Sequence, residues 1–565
     1  MYIYIFNEKG NTVNRHLKRI AAALLCCVIT TSAAGCFEKD GKDGIIKYDI
    51  AYNPGSLDPQ TASDDASILI INSVYTGLMR VLPDGSLGTG AAEDYTVTDD
   101  GLTYRFKLRS DIWWTDVNKF EAACTAADFV YGFQRLFDPQ TRAPRASEYF
   151  CIKGAKALNS GAASDFSKLG VKAVGDYELE ITLEYPDPRF PELLAEAPAM
   201  PCNEEYFIAS QGRYGLSGDT TPSNGAFYIR SWDFDPYTIT DNNHLILRRN
   251  AKNSETSPVI PSGLNFFIEG DEDFVDDFNS SVISCIAVDE EQLELLSGKF
   301  TVQEYDAITV GLTLNTDFGL FSDQGFRKAL ACLVDREKLS EGSSHAAAYA
   351  IVPGEVTLLD KPYREFSGDK LTPDYSVEKS QEYYQSALPR LDTSLFSGAR
   401  IIMRENETAS AMLSVIMQEW QREFGFYCVV EELSEADFSA RLSSGDYEIA
   451  VQELSGSVNS PGAYLQAFTT DGAGNYSGYH SADSDGLIKA AQRAADLADS
   501  AKLYAKAEQS IINGAAFIPL YYKNEYFCIN KDFADIYYDP FNKTVDFTNA
   551  KAFKIPDTPY TPGDT

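Results

Sequence analysis

Histidine is scarce in this chain. Only four occur in 565 residues, and His16 lies in the N-terminal segment, so His244, His345 and His480 would have to carry any histidine-dependent catalysis. None stands in an HExxH pattern or beside a nucleophile motif. A GxSxG elbow, a GxxxxGKS/T loop and a GxGxxG run are all missing, so neither a hydrolase nucleophile nor a phosphate cradle is supported. No two of the ten cysteines show CxxC spacing, which leaves zinc and thioredoxin-like chemistry without support and gives no sign of a metal or other cofactor. Positive charge is also short: 48 Lys+Arg against 83 Asp+Glu give a formal charge of −35. Such a surface repels phosphate backbones, and nucleic acid is not an expected partner. The apolar run from Ile20 to Thr30 is about eleven residues, too short to cross a hydrocarbon core of about 30 Å.

What is present is ordinary globular material. Hydrophobic residues make up 44% and charged residues 23%, with 33 Tyr and 33 Phe, far more aromatic surface than disordered chains carry. A single core does not grow to this length, so two or three substructures of about 100–250 residues are expected. The apolar run follows Lys9, Arg15, Lys18 and Arg19 and precedes Ser32-Ala33-Ala34-Gly35-Cys36. That order reads as a signal peptide over 1–35 whose end resembles the bacterial lipobox, with Cys36 as the lipidated residue. It implies a chain tethered to the outer face of the cytoplasmic membrane, where disulfides are permitted. Beyond Cys36 seven cysteines remain, an odd number for which at most one or two bridges are expected.

Along the chain, Ile45 to Tyr52 reads as a first strand and Ile68 to Met79 as a helix ended by Gly77. Asp100-Gly101 between two alternating runs signals a hairpin, and a second falls in Val174 to Leu183. Helices are expected over 128–137, 324–339, 410–424 and, as one or two, 485–513. Strand patterns occupy 227–267, 425–431 and 517–522, and the helix followed by Gly425–Glu431 suggests a parallel helix-to-strand unit. Paired acids such as Asp276-Asp277, Glu290-Glu291 and Glu431-Glu432 read as solvated faces in so acidic a chain. A glycosidase would need two carboxylates facing one another across a cleft, which no spacing reveals.

One set of segments stands out: Leu57-Asp58-Pro59, Tyr75-Thr76-Gly77-Leu78, Asp99 to Arg109, Trp114-Thr115-Asp116, Thr125 to Tyr131 and Ser223 to Phe227, then Arg327 to Leu330, Asp335-Arg336 and Leu503 to Gln509. In order and spacing, from about residue 45 to 550, they resemble the extracytoplasmic solute-binding proteins of oligopeptide and dipeptide ABC importers. The resemblance implies a two-lobe α/β fold of the type II periplasmic-binding-protein kind, with an extra α+β subdomain in the first lobe. Lobe one would comprise 45–90, 212–309 and 513–565, with 91–211 inserted and 310–512 as lobe two, hinged near Thr309 and Asn513. Its implied activity is capture of peptides without catalysis by a monomer, and delivery to a permease and its ATPase. A receptor of the same fold for a non-peptide solute, or for a signalling peptide, is the alternative.

The resemblance also locates candidate site residues. Relatives carry a Trp and, three residues on, an Asp that pairs with the peptide amino terminus; here these positions are Leu454 and Ser457, and a hydroxyl cannot replace a buried carboxylate facing an ammonium. Positions that hold the peptide carboxylate in some relatives are Val451 and Ala409, and a pocket Tyr is Arg145. Both terminal anchors are therefore missing. Glu453 shares strand parity with Ser457 and is a candidate displaced amine anchor, while Arg145 is a candidate carboxylate partner or a rim residue paired with Glu148. Ser455 and Asn459 flank them, and Tyr149, Trp232, Tyr464 and Tyr479 are candidate cleft walls. Without terminal anchors, backbone strand pairing is the remaining means of holding a peptide.

Overall fold

The computed structural model describes residues 44–553, apart from 83–84, 238–242, 253–258, 269–273, 342–343, 359–360, 405–406, 457, 473 and 495. The signal segment with Cys36 and the candidate residue Ser457 lie outside the described residues.

The first strand, Ile45–Ile50, pairs in parallel with Gly263–Ile268, which continues antiparallel to His244–Arg249 and then Phe227–Asp233. Both expected hairpins form. Ala92–Val97 and Thr103–Leu108 meet across Gly101, whose φ of 68° suits glycine, and Val171–Gly175 meets Glu178–Thr182. Together they make one antiparallel sheet within residues 91–211, and its core is continuous with that of the first sheet. Helix Ala126–Phe137 begins two residues earlier than its apolar pattern suggests, because Asp128 accepts from the Thr125 N–H and satisfies one of the donors a helix start leaves free.

Other boundaries moved for tertiary reasons. The first helix spans Asp65–Val74 and stops short of Met79. The Val74 carbonyl accepts from Gly225 N at 2.9 Å, and Asn224 clamps Thr76 by its N–H and its carbonyl, both at 3.0 Å. The segment expected as one helix over 324–339 is two, Gln324–Cys332 and Arg336–Leu339, because Asp335 caps the second. Residues 485–513 likewise fall in two helices, Ala482–Gln492 and Leu497–Gly514.

The largest sheet has seven strands and joins the two halves of the molecule. Its order is Cys285–Val288, Phe517–Asn530, Phe300–Leu314, Ile449–Ser455, Ser397–Arg404 and Tyr427–Leu433, with Ala346–Ala347 also on Phe517–Asn530. The helix-to-strand unit is present: helix Glu407–Phe424 connects Ser397–Arg404 to its parallel neighbour Tyr427–Leu433. Phe300–Leu314 and Phe517–Asn530 are long antiparallel partners that run from one core to the other. Phe527 and Ile529 belong to the first core, whereas Ile308, Val310, Ile518 and Leu520 belong to the second. The register shifts between Tyr305 and Ile308, placing a bulge where the strands pass between cores. Asn513, near which the resemblance places one crossing, lies in the last turn of a helix, and the long strand that runs between the cores follows it over Phe517–Asn530.

Candidate functional site: the cleft beside the crossing strands

Carboxylates and tyrosines gather around the bulge. Tyr464, from the short helix Pro461–Leu465, donates its hydroxyl to the Ala307 carbonyl at 2.6 Å and has no solvent exposure. Tyr305 packs edge-on against Tyr538, with ring centroids 5.6 Å apart. Burial raises the phenols of Tyr464 and Tyr305, and the nearby carboxylates raise them further: Glu525, Asp539 and Glu355 for Tyr464, Glu355 and Asp539 for Tyr305. Asp539 comes from the C-terminal segment and Glu355 from a loop of the other half, so the two halves face one another here. Glu355 is exposed to water yet crowded by protein, and its carboxyl is pushed up by desolvation and by the charges of Asp306 and Glu304.

The loop that presents Glu355 is pinned from below. Glu508 is fully buried and accepts from the N–H groups of Ile351 and Val352, both at 2.9 Å, and from Arg364 at 2.7 Å. Thr309 on the crossing strand also donates to the Ile351 carbonyl, at 2.7 Å. Farther out the halves touch again, with the Arg493 guanidinium 4.2 Å from the Tyr185 ring centre and Arg189 close enough to Tyr504 to lower its phenol against the stronger pull of burial.

The residues expected at the site divide into three groups. Arg145 and Glu453 are both neutralised: Arg145 donates to Glu148 twice at 2.8 Å and to Glu196 at 3.4 Å, and Glu453 accepts from Lys523 Nζ at 2.9 Å. Ser455 is exposed and lies across from Ile308, while Asn459 is occupied with Thr357, its Oδ1 accepting from the N–H and its Nδ2 donating to Oγ1, both at 2.9 Å. Three of the four aromatics, Tyr149, Tyr464 and Tyr479, are buried and need correction as cleft walls. Tyr149 is a core residue that donates to the Leu193 carbonyl at 2.9 Å, and Tyr464 is a buried strut beneath the cleft. Tyr479 packs against the helix end at Gly514, and Trp232 is half-buried with its Nε1–H donated to Asn53 at 2.8 Å. For Tyr149 and Tyr464 a large amphipathic ring gains more from burial, with its hydroxyl satisfied, than from solvent. Val451 and Ala409 are also buried in the second core.

Glu196, Glu355, Glu525 and Asp539 had no signal in the sequence, because isolated acids are indistinguishable in a chain with 83 of them. All seven cysteines in the described residues are free thiols. No helix of the described residues is long and apolar enough to cross a membrane, and no group of His, Cys, Asp and Glu among them is arranged to hold a metal ion.

Residues 87–476 match the family described as bacterial extracellular solute-binding proteins, family 5. The chain belongs to this family. It is 26% identical over 505 residues to the oligopeptide-binding protein OppA of Bacillus subtilis (strain 168), covering 87% of this chain and 90% of that protein. It is equally 26% identical over 527 residues to the Probable deoxycholate-binding periplasmic protein YgiS of Escherichia coli (strain K12), covering 88% and 93%. The substrate-binding domain of the oligopeptide ABC transporter from Bacillus anthracis str. Ames superposes with a TM-score of 0.67 at 23% identity, over 90% of this chain and 99% of that one. The two-lobe fold expected from the resemblance is therefore the fold of this solute-binding protein.

Proposed function

We propose that this protein is the lipid-anchored receptor of an ABC importer, capturing oligopeptides between its lobes and presenting them to a membrane permease without altering them. The observation that carries this reading is a family 5 fold in which carboxylates of both halves, Glu355 and Asp539, come near the same tyrosines, Tyr305 and Tyr464, beside the bulged crossing strands. Arg145 and Glu453 are already paired, so the terminal charges of a peptide are not the main handle, and main-chain pairing in the cleft supplies affinity. Closure about the two strands then selects the liganded state that the permease recognises. Cys36 anchors the mature chain.

Native mass spectrometry of the mature protein, purified without refolding, tests the substrate class. A ladder of co-purifying peptides supports it, and a single non-peptide mass replaces it with a receptor for that solute. The relative named for deoxycholate makes this second reading concrete, but an acidic cleft repels a bile-acid carboxylate. Anchoring is tested separately: Cys36→Ala is expected to release the protein into the medium, and retention at the membrane would refute lipidation at this residue.

A further inference from the structure

One strand of the sheet that joins the two halves is paired along one side only. Ile449–Ser455 pairs with the crossing strand Phe300–Leu314 throughout, from Ile449 opposite Leu314 to Ser455 opposite Ile308. Its other edge meets Ser397–Arg404 at Ile449 and Ala450 and no further. Among the described residues, the edge from Val451 to Ser455 therefore has no neighbouring strand on that side. An open strand edge is where an extended peptide can add itself by main-chain pairing. This edge ends beside the bulge at which the crossing strands pass between cores.

The next pair in the same register is Gly456 with Ala307, and there the ladder stops. The Tyr464 hydroxyl takes the place of the rung: it accepts from the Gly456 N–H and donates to the Ala307 carbonyl at 2.6 Å. Ala307 lies inside the bulge, between Tyr305 and Ile308, where the regular pairing of the crossing strands is interrupted. The fit is close, since Tyr464 has no solvent exposure and a Cβ on Gly456 would lie 2.5 Å from its ring. The short helix Pro461–Leu465 that carries it is capped by Ser460, which accepts from the Gly462 N–H at 3.2 Å. Asn459, just ahead of that helix, is fixed to Thr357. A hydroxyl donates and accepts at once, and a phenylalanine ring in the same place does neither.

We propose that Tyr464 is a positioning residue for peptide capture, its hydroxyl tying the end of the open edge to the bulge so that a peptide paired on Val451–Ser455 steadies the hinge. This rests on the main-chain capture proposed above and names the residue that links it to movement of the lobes. Without the hydroxyl the edge still offers its N–H and carbonyl groups, but its end moves independently of the bulge, and ligand and hinge no longer answer to one another.

The test compares Tyr464→Phe with Tyr149→Phe. The second removes an equally buried hydroxyl, bonded to the Leu193 carbonyl at 2.9 Å in the first core, so it reports the cost of losing such a bond away from the bulge. Both variants keep the ring, and a cooperative melt checks that each is folded. Calorimetry uses acetylated, amidated pentaalanine, which offers a main chain without charge. Its binding is expected to weaken about tenfold in Tyr464→Phe and less than about twofold in Tyr149→Phe. Hydrogen exchange read by mass spectrometry is expected to show pentaalanine slowing the amides of residues 305–309 in the unmodified protein and in Tyr149→Phe, but not in Tyr464→Phe. Equal losses of affinity in the two variants, or slowing at 305–309 that survives in Tyr464→Phe, would overturn the coupling while leaving main-chain capture standing. No binding of pentaalanine by the unmodified protein would overturn main-chain capture and this role with it.

Discussion

Glu508 shows how one residue organises the site without touching a ligand. Its carboxylate has no exposure, yet it serves the N–H groups of two successive residues and a guanidinium at once, fixing the loop that holds Glu355. Removing one partner of such a buried pair leaves the other charge uncompensated. Glu508→Ala is expected to cost roughly 3–5 kcal/mol in urea denaturation, and a loss below about 1 kcal/mol would show that Arg364 finds another partner. Asn224 is the neutral counterpart. Its amide answers both the N–H and the carbonyl of Thr76, so Asn224→Ala orphans buried backbone groups and should cost about 1–3 kcal/mol in the same assay. The Ser-Asn-Gly-Ala-Phe motif was legible in the sequence as a family mark. Its clamp on a helix end 148 residues away was not, because capping by a distant side chain leaves no local signal.

At the scale of elements, the two crossing strands carry the argument. Hydrophobic content marked Phe517–Tyr522 as strand, but the element continues to Asn530, through Lys523, Asn524 and Glu525. Those polar residues read as a boundary in the sequence, and they are strand because the chain there passes between cores, where a ladder is needed but a fully apolar surface is not. Pro519 is accommodated at a second register shift, between Val310 and Gly311, where a missing N–H costs the ladder least. Gly311 is required there: a Cβ would lie 2.4 Å from Phe517 and 2.7 Å from the Ile518 carbonyl, and the backbone atom cannot yield. Gly311→Ala is expected to destabilise the protein by about 1–3 kcal/mol and, by straining the crossing, to weaken ligand binding as well. Unchanged thermal stability would show that the strands can part without cost.

For the whole molecule, converging carboxylates make stability depend on pH in a definite direction. Glu355, Asp539 and Glu196 have carboxyls raised first by burial, with the charges of Asp306 and Glu304 adding to Glu355 and those of Asp539 and Glu148 to Glu196, so they hold protons in the folded state at pH values where the unfolded chain has lost them. Between the ordinary carboxylate range and the raised values the folded protein binds more protons, and its stability therefore falls as pH rises. Glu435 has the opposite sign: its hydrogen bond to Arg404 lowers it to about 2, so its contribution is lost only as pH falls below the ordinary Glu range. The ligand-free protein is thus expected to melt at a higher temperature at pH 5.5 than at pH 7.5, with a smaller rise in Glu355→Gln; a melting temperature that falls over this interval would contradict the assignment. The contact of Arg493 with Tyr185 joins the halves at the rim, and Arg493→Ala should weaken ligand affinity about threefold, the worth of one exposed cation–π contact.

The sequence by itself determined the family, the α/β class, both hairpins and most helices, because turn chemistry and apolar periodicity act over a few residues and family motifs persist in order. Through the resemblance it also implied that the relatives' terminal anchors are missing, since that is a matter of residue identity. Only the tertiary structure decided which aromatics are struts, where the chain runs between cores, and which of the 83 acids come near one another, as Glu355 does to Asp306 and Glu196 to Asp539. Those are matters of distance between residues far apart in the chain, and charge acts through space with no regard for sequence separation.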